Sequence, residues 1–226
     1  MNYEELLKRG PYELGAEEKK KIYADMLSEL TDSHRKRCLI YDRCCSALGD
    51  VSESQRREEE IPMVPVSMFK EMELRSVPTG AVFKTVTSSG TTGQKTSKIV
   101  LDERTAAWQQ QTLQRIMADF IGEKRIPMLI IDAPNVLRDR ALFSARGAGI
   151  LGFSIFGSKR CYALKEDMSL DLETVEAFLE KAGDGPVLVF GFTYMIWKYF
   201  YEPLKRSGHR LHLEHGFLIH GGGWKK

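Results

Sequence analysis

The chain has 226 residues, of which 42% are hydrophobic and 28% charged, enough to bury the core of a globular protein. Its 33 basic and 31 acidic residues are mixed along the sequence and leave a net charge of +2, which argues against a nucleic-acid-binding protein. The longest apolar run, residues 186–197, is shorter than the roughly 20 residues that span a membrane, and the acidic start lacks a signal-peptide core, so we expect a cytoplasmic protein.

The first part of the chain is predicted to be helical. Over residues 1–48, apolar side chains recur three or four positions apart, with Thr31 as a predicted N-cap between two helices and Gly49 as a stop. The charged stretch 51–60 has little to bury and is predicted to be a solvated connector. We therefore divide the chain into an N-terminal helical appendage with its linker, residues 1–60, and an α/β domain, residues 61–226.

From residue 80 onward, strand and helix patterns alternate. Strands are predicted at 81–87, 127–132, 150–156, 186–190 and 213–219, and helices at 103–121, 138–148, 171–182 and 193–206. Helix boundaries are predicted at two N-caps and two C-terminal glycines: Asp102, Asp171, Gly183 and Gly208. The continuous apolar runs 128–131 and 187–190 are typical of parallel strands covered on both faces. The pattern predicts an α/β fold with a doubly wound, mostly parallel sheet.

A segment rich in hydroxyls and glycine follows the first predicted strand: Ser88, Ser89, Gly90, Thr91, Thr92 and Gly93. Its glycines let the backbone approach an anion, its amides and hydroxyls supply donors, and Lys95 and Lys98 offset negative charge. This composition predicts a phosphate-binding loop, with an ordinary polar turn as the alternative. The spacing of glycine and lysine excludes a Walker A loop, and the dinucleotide fingerprint is missing too.

Ligands of open parallel sheets bind beyond the carboxyl ends of the strands. Loops follow four of the predicted strands: Ser88–Gly93, Asp132–Asn135, Gly191–Thr193 and Gly221–Gly223. We expect all four to open on one edge of the sheet. Asp132 is interpreted as a helix cap or turn residue, with a magnesium or ribose role as the alternative. Phe192, Tyr194 and Trp197 are interpreted as core side chains, with a pocket wall as the alternative.

The segment 88–94 resembles the phosphate-binding signature of adenylate-forming enzymes, which join a carboxylate to AMP using ATP. Three further segments, in the expected order, extend the resemblance to the acyl-protein synthetases of the LuxE type, which are similar to phenylacetate-CoA ligases. They are Ile61-Pro62-Met63-Val64-Pro65 with Phe69-Lys70, Gly191-Phe192-Thr193-Tyr194 with Trp197, and His220-Gly221-Gly222-Gly223-Trp224-Lys225-Lys226. The resemblance runs from about residue 60 to the last residue. One departure is Lys95, which stands where the family often has proline.

The resemblance implies a ligase that uses ATP and Mg²⁺ to convert a carboxylate, such as a fatty acid, into acyl-AMP. In this family the acyl group then passes to an enzyme cysteine and on to an acyl reductase subunit, chemistry associated with bioluminescence. The implied nucleotide-binding residues are Ser88, Ser89, Gly90, Thr91, Thr92, Gly93, Lys98, His220, Gly221, Gly222, Gly223 and Trp224. The resemblance assigns no catalytic residue and no metal ligand.

The four cysteines are not expected to take part in the chemistry. Cys38, Cys44, Cys45 and Cys161 form no Cys-x-x-Cys pair and are interpreted as packed or surface thiols. In the family the acyl-accepting cysteine belongs to a C-terminal part. We therefore expect the 226-residue chain to be an N-terminal portion that is inactive alone and self-associates through an exposed sheet edge.

Two alternatives remain open. The sequence His220-Gly221-Gly222-Gly223-Trp224 also resembles the oxyanion-hole motif of hormone-sensitive-lipase-like esterases. Those enzymes need a serine in Gly-x-Ser-x-Gly downstream of this motif, whereas residues 152–156 lie upstream and lack the final glycine. The other alternative is a non-catalytic binding or assembly module that has retained the fold.

Overall fold

The computed structural model describes residues 3–50, 56–87, 95–137 and 145–223. The chain divides into two compact units, residues 1–119 and 120–226. The boundary that we predict near residue 60 stays a prediction. Within the described ranges, no helix has both the length and the apolar character that crossing a bilayer requires.

Three helices open the first unit: α1 (Tyr3–Leu6), α2 (Ala16–Arg37) and α3 (Leu39–Ala47). The predicted N-cap at Thr31 is wrong, because α2 continues through this residue and buries it. The Thr31 hydroxyl forms a hydrogen bond with the Tyr41 side chain instead of capping a free backbone amide. The helical segment is interrupted at Cys38, whose extended backbone separates α2 from α3. Gly49 follows α3 with a φ of +82°, as predicted for a helix stop.

The charged stretch that we predicted to be solvated is not solvated at Arg56, which is only 4% exposed. Its Nε and Nη2 contact the two carboxylate oxygens of Asp50, each at 3.1 Å, and its Nη1 lies 2.8 Å from Asp32 Oδ1. Its backbone amide donates to Ser28 Oγ at 2.9 Å. A run of charges usually indicates surface, but two carboxylates and good geometry make burial of this guanidinium tolerable.

The first unit also contains a β-hairpin. The hairpin consists of β1 (Lys84–Thr87) and β2 (Lys98–Leu101). Helix α4 (Met68–Glu71) precedes it in the chain, and α5 (Glu103–Ile121) follows it. The strands pair antiparallel, from Lys84 opposite Leu101 to Thr87 opposite Lys98. The strand predicted at 81–87 therefore exists from Lys84, but it belongs to this hairpin and not to the parallel sheet. β2 was not predicted. Asp102 caps α5 as predicted, accepting from the Thr105 amide at 2.7 Å.

The second unit is built on a four-stranded parallel sheet. In chain order it contains β3 (Ile126–Ile131), α6 (Ala145–Phe153), β4 (Gly157–Tyr162), α7 (Leu172–Ala182), β5 (Val187–Phe192), α8 (Thr193–Met195), a π-helical turn (Ile196–Tyr201), α9 (Glu202–Ser207) and β6 (Gly216–Gly221). The strand order is β4-β3-β5-β6, with every neighbouring pair parallel. The predicted α/β class is confirmed.

Helices cover both faces of this sheet. Residues 128–131 of β3 are completely buried, as the continuous apolar run predicts. Successive side chains of a strand point to opposite faces. Ile130 accordingly packs in one cluster with Ile150 of α6, and Ile131 packs in another with Val175 of α7.

One strand prediction in the second unit is wrong. Residues 150–156 form the end of α6 and a 3₁₀ turn (Ser154–Phe156), because a short apolar run fits a buried helix as well as a strand. Ile150 and Phe153, one turn apart, pack into the same cluster on the sheet. The strand in this region is β4, whose central residues are polar and exposed because it forms an edge of the sheet. The helix predicted at 138–148 is described only from residue 145, where the structure is helical.

Candidate functional site

The strand order creates a crevice at the carboxyl ends of β3 and β5. The chain adds β4 on one side of β3 and then places β5 and β6 on the other. The connections therefore cross opposite faces of the sheet, with α6 on one and α7 on the other. Ligands of doubly wound folds bind at such a switch point. Asp132 and Thr193 directly follow the two strands that form it.

Three of the four loops that we expected on one edge do follow strands of this sheet, namely β3, β5 and β6. The fourth loop, Ser88–Gly93, follows β1, which pairs with β2 in the antiparallel hairpin and not with this sheet. Where this loop opens stays a prediction. In the chain, a separate hairpin thus precedes the parallel sheet. Its strands are short and mostly exposed, so their sequence does not indicate which sheet they join. Residues 88–94 themselves lie outside the described ranges.

Asp132 is a buried carboxylate at the crevice. The side chain is 2% exposed, and its Oδ1 accepts a hydrogen bond from the Ala133 amide at 2.8 Å, the turn role that we predicted. Its Oδ2 lies 3.4 Å from Arg146 Nε. Burial raises the pKa of the Asp132 carboxyl, and the Ala133 amide and the Arg146 charge only partly oppose this rise. The pair therefore places an incompletely compensated charge beside the crevice.

Arg146 supplies a cation there that sequence reasoning missed. The residue lies near the start of α6, and its Nη1 is 3.3 Å from Met195 Sδ, in the helical segment that follows β5. Its side chain is 27% exposed and so retains access to solvent. A single arginine in a run of alanine and glycine gives no periodic or motif signal; only the fold brings it to Asp132.

The Thr193 hydroxyl joins the start of α8 to the glycine segment after β6. Its Oγ1 lies 3.0 Å from His220 Nδ1, 3.1 Å from the Gly221 carbonyl oxygen and 3.3 Å from the Gly222 carbonyl oxygen. The pairing of β5 with β6 sets this proximity, since Phe192 lies opposite Gly221. The structure thus brings three of the predicted residues, His220, Gly221 and Gly222, into contact with one hydroxyl.

The glycines of this segment differ in what surrounds them. Gly222 has a φ of +74°, and a Cβ there would lie 2.9 Å from Phe192 Cδ1. A Cβ on Gly221 or Gly223 would meet no atom of the described residues within 4 Å. Gly222 is therefore required by the backbone and by the Phe192 ring, whereas its two neighbours border open space. Trp224 lies outside the described residues.

The aromatic residues after β5 have different surroundings. Phe192 and Tyr194 pack around a buried cluster that contains Met195. Trp197 is 43% exposed and stacks on Tyr201, with ring centroids 4.8 Å apart. The interpretation of these residues as core therefore fits Phe192 and Tyr194 but is wrong for Trp197, because its position on the π-helical turn directs it outward.

The structure describes the residues that flank the predicted phosphate loop, which belong to the first unit. Lys98, the first residue of β2, is exposed and lines a groove together with Phe69, Arg75, Thr85, Thr96 and Val100. Lys95 also follows the segment 88–94, and its Nζ lies 2.9 Å from Glu71 Oε2 in an exposed pair. Solvent screens such a pair, so Lys95 retains much of its attraction for an anion.

Among the residues that the structure describes, no three His, Cys, Asp or Glu side chains are grouped to hold a metal ion. Asp132 is the carboxylate at the crevice. Magnesium commonly takes only one or two protein carboxylates, with substrate phosphates and water completing its shell.

Ser154 and the cysteines do not have the surroundings of a nucleophile. The Ser154 hydroxyl is buried and donates to the Ile150 carbonyl at 2.6 Å, which disfavours the esterase alternative. Cys38 and Cys45 are buried, and burial raises the pKa of the Cys45 and Cys161 thiols. A raised thiol pKa lowers the fraction of reactive thiolate.

The parallel sheet, with its switch point and helices on both faces, defines an α/β protein of the doubly wound class. Comparison with protein families gives the particular class. A model of the family described as acyl-protein synthetase, LuxE, matches residues 3–226, and the chain belongs to this family. No curated protein and no solved structure matches the chain.

Proposed function

We propose that this acyl-protein synthetase family member uses ATP to activate a fatty acid or a related carboxylate as acyl-AMP, before the acyl group passes to a cysteine thiol. One observation carries the proposal beyond family membership. At the carboxyl edge of the sheet, the buried Asp132 carboxylate, paired with Arg146, follows β3. The Thr193 hydroxyl, which follows β5, contacts the His220–Gly222 segment. Such an edge suits a ligand with both charged and flat parts.

Two segments are proposed for nucleotide binding, each considered by itself. The donors of Ser88–Gly93 and Lys98 suit phosphate groups, with Mg²⁺ supplying further positive charge. The segment His220–Gly223, with Trp224, suits the adenylate. The open space beside Gly221 and Gly223 supports this part of the proposal, since a flat ring can approach a backbone that carries no side chain.

The chemical step is the attack of a carboxylate oxygen on the α-phosphorus of ATP. A new P–O bond forms, the bond to pyrophosphate breaks, and pyrophosphate leaves with the electron pair. Arg146 is partly exposed at the crevice, where its charge would stabilise the negative charge that gathers on the phosphorus oxygens. Asp132 would keep the Arg146 guanidinium in place while remaining out of contact with solvent.

Further parts of the proposal come from the family resemblance alone. We propose a cysteine other than the four discussed above as acyl acceptor and an acyl reductase subunit as partner.

A cytoplasmic location stays a prediction. Self-association also stays a prediction; β6 is an edge strand of the described sheet and carries Leu218, which is 55% exposed. Light scattering on the 226-residue chain tests it.

The test is carboxylate-dependent ATP–pyrophosphate exchange in the native gene product that carries this chain, with fatty acids of increasing length. We expect exchange that requires both Mg²⁺ and the carboxylate. Replacing Thr91 and Thr92 by valine should reduce it strongly, because each lost hydrogen bond to a charged group is worth about 1.5–3 kcal/mol. The control is Thr174→Val, at an exposed position on α7, which should leave the exchange unchanged.

The same protein distinguishes the alternatives. A folded protein that binds ATP or a fatty acid but shows no exchange would be a binding module. Hydrolysis of p-nitrophenyl esters together with labelling by a fluorophosphonate would make it an esterase. The expectation that the 226-residue chain alone is inactive stays a prediction, which the same exchange assay on that chain tests.

A further inference from the structure

The contacts of the Thr193 hydroxyl determine which nitrogen of His220 carries the proton. A hydroxyl has one hydrogen to donate and two lone pairs to accept with. Thr193 Oγ1 lies within hydrogen-bonding distance of two carbonyl oxygens, on Gly221 and Gly222, and of His220 Nδ1. Carbonyl oxygens only accept, so the single hydroxyl proton is shared between them.

His220 must then be the donor in its contact with Thr193. If the hydroxyl gave its proton to Nδ1, its lone pairs would face two carbonyl oxygens with no hydrogen between them. A proton on Nδ1 removes this conflict, because the imidazole donates to Thr193 Oγ1 while the hydroxyl donates to the carbonyls. In a neutral imidazole, a proton on Nδ1 leaves Nε2 with a lone pair that accepts.

The position of His220 indicates a function for the lone pair on Nε2. The side chain is exposed at the end of β6, next to the glycines proposed to lie against the adenylate. An acyl-protein synthetase must deliver its acyl group to a thiol, and the reactive form of a thiol is the thiolate. We infer that His220 Nε2 accepts the proton of the acceptor thiol during acyl transfer, and that Thr193 is the positioning residue that fixes the tautomer. This inference rests on the proposed function.

The step balances without any further reactant. The thiol S–H bond breaks and its proton goes to His220 Nε2. The sulfur forms a bond with the acyl carbon, and the bond from that carbon to the phosphate oxygen breaks. AMP leaves with the electron pair of that bond, and the imidazolium then releases its proton to water. No group is oxidised or reduced.

The tautomer can be measured directly in the 226-residue chain. A long-range ¹H–¹⁵N correlation spectrum separates protonated from unprotonated ring nitrogens. The variant His220→Asn identifies the His220 signals. We expect Nδ1 to carry the proton in the wild type and in Thr193→Ser, and a mixture of tautomers in Thr193→Val. A proton on Nε2 in the wild type would overturn the inference.

The role in transfer is tested with a synthetic fatty acyl-AMP and a free thiol, in the native gene product, so that activation by ATP plays no part. His220→Asn keeps a side-chain donor near the Nδ1 position and removes the base. With an alkyl thiol, which is mostly protonated at neutral pH, we expect transfer to fall by about 10²-fold. With an aromatic thiol that is already ionised, transfer should remain within a few-fold of the wild type.

Each outcome has a distinct meaning. Equal loss with both thiols, or no loss with the alkyl thiol, would overturn the role of His220 as proton acceptor. Wild-type protein that shows pyrophosphate exchange but no acyl transfer would overturn this inference and leave the proposed function standing. Acyl transfer without exchange would contradict the proposed activation step and leave His220 supported.

Discussion

Two buried charged side chains, Arg56 in the first unit and Asp132 in the second, differ in how completely the charges around them are compensated. In the first unit, Arg56 contacts two carboxylates, and one of these, Asp50, also accepts from Arg35 Nη1 at 3.0 Å. In the second unit, Asp132 Oδ2 lies 3.4 Å from Arg146 Nε, its one cationic contact among the described residues. We call the charged residues of the first unit, Asp32, Arg35, Asp50 and Arg56, the Arg56 cluster.

The pKa values move in opposite directions in the two places. Burial alone would raise the pKa of the Asp50 carboxyl, but the hydrogen bond and charge of Arg56, together with Arg35, lower it overall. For Asp132 burial dominates and the pKa rises. Removing one partner from a compensated buried ion pair is strongly destabilising, whereas a buried carboxylate whose pKa is raised is more often found at a functional site.

The largest expected effect is on the Arg56 cluster. Arg56→Met leaves Asp50 and Asp32 without their shared cation, so the free energy of unfolding should fall by about 3–5 kcal/mol. Urea denaturation followed by circular dichroism measures it. The control is Arg57→Met, which removes an exposed arginine paired with Glu60 and should change stability by less than about 1 kcal/mol. Equal losses in the two variants would contradict the structural role of the cluster.

Asp132→Asn should have the opposite profile. The amide oxygen can still accept from the Ala133 amide, and the cost of burying a charge disappears, so stability at pH 7 should stay the same or rise. Loss of the contact that orients Arg146 should lower pyrophosphate exchange by about 10- to 100-fold, the equivalent of one hydrogen bond between charged groups. A variant that is destabilised but fully active would reverse the assignment of the two pairs.

A smaller effect is expected from the glycine segment. Gly222→Ala forces a residue with a side chain into a left-handed conformation and brings a Cβ against the Phe192 ring, at a cost of about 1–2 kcal/mol. The matched control is Gly221→Ala, at a strand position with nothing within 4 Å of the added Cβ. Thermal unfolding of both variants provides the comparison. The same melting temperature for both would show that the backbone at Gly222 is not constrained as described.

The smallest effect is in the pH dependence of stability. Because the folded-state pKa of Asp50 is lowered, its contribution is present above the unfolded pKa, about 3.9, and is lost as the pH falls through the folded value. Asp132, whose folded-state pKa is raised, stabilises most at low pH, and its contribution is lost as the pH rises through the folded value. Asp50→Asn should therefore flatten the acid limb of a stability profile between about pH 5 and 2, and Asp132→Asn should not. A steeper limb in Asp50→Asn would contradict the sign.

Local signals in the sequence predicted much of the fold. Asp102 and Asp171 cap their helices as predicted, and Gly183 and Gly208 end theirs with positive φ, because a cap depends on a few neighbouring residues. The α/β class follows from buried apolar runs such as 128–131. The run 150–156 was assigned to the wrong element because an apolar stretch of that length has no distinguishing period.

The candidate site was predictable only in part. His220 and the glycines carry a motif and were identified, and Thr193 was placed after the correct strand. Its contact with His220 depends on the parallel pairing of β5 with β6, and the Arg146–Asp132 pair depends on α6 crossing the sheet. The burial of Arg56 likewise depends on Asp32 and Asp50, 24 and 6 residues away. Sequence patterns report neighbours along the chain and not these tertiary partners.

The most direct test of the central claim follows one oxygen atom. The native gene product is incubated with ATP, Mg²⁺, a thiol acceptor and a fatty acid labelled with ¹⁸O in its carboxylate, and the nucleotide product is analysed by mass spectrometry. Attack of the carboxylate on the α-phosphorus predicts AMP that carries one ¹⁸O atom. Formation of ADP, or of AMP without the label, would contradict activation through acyl-AMP.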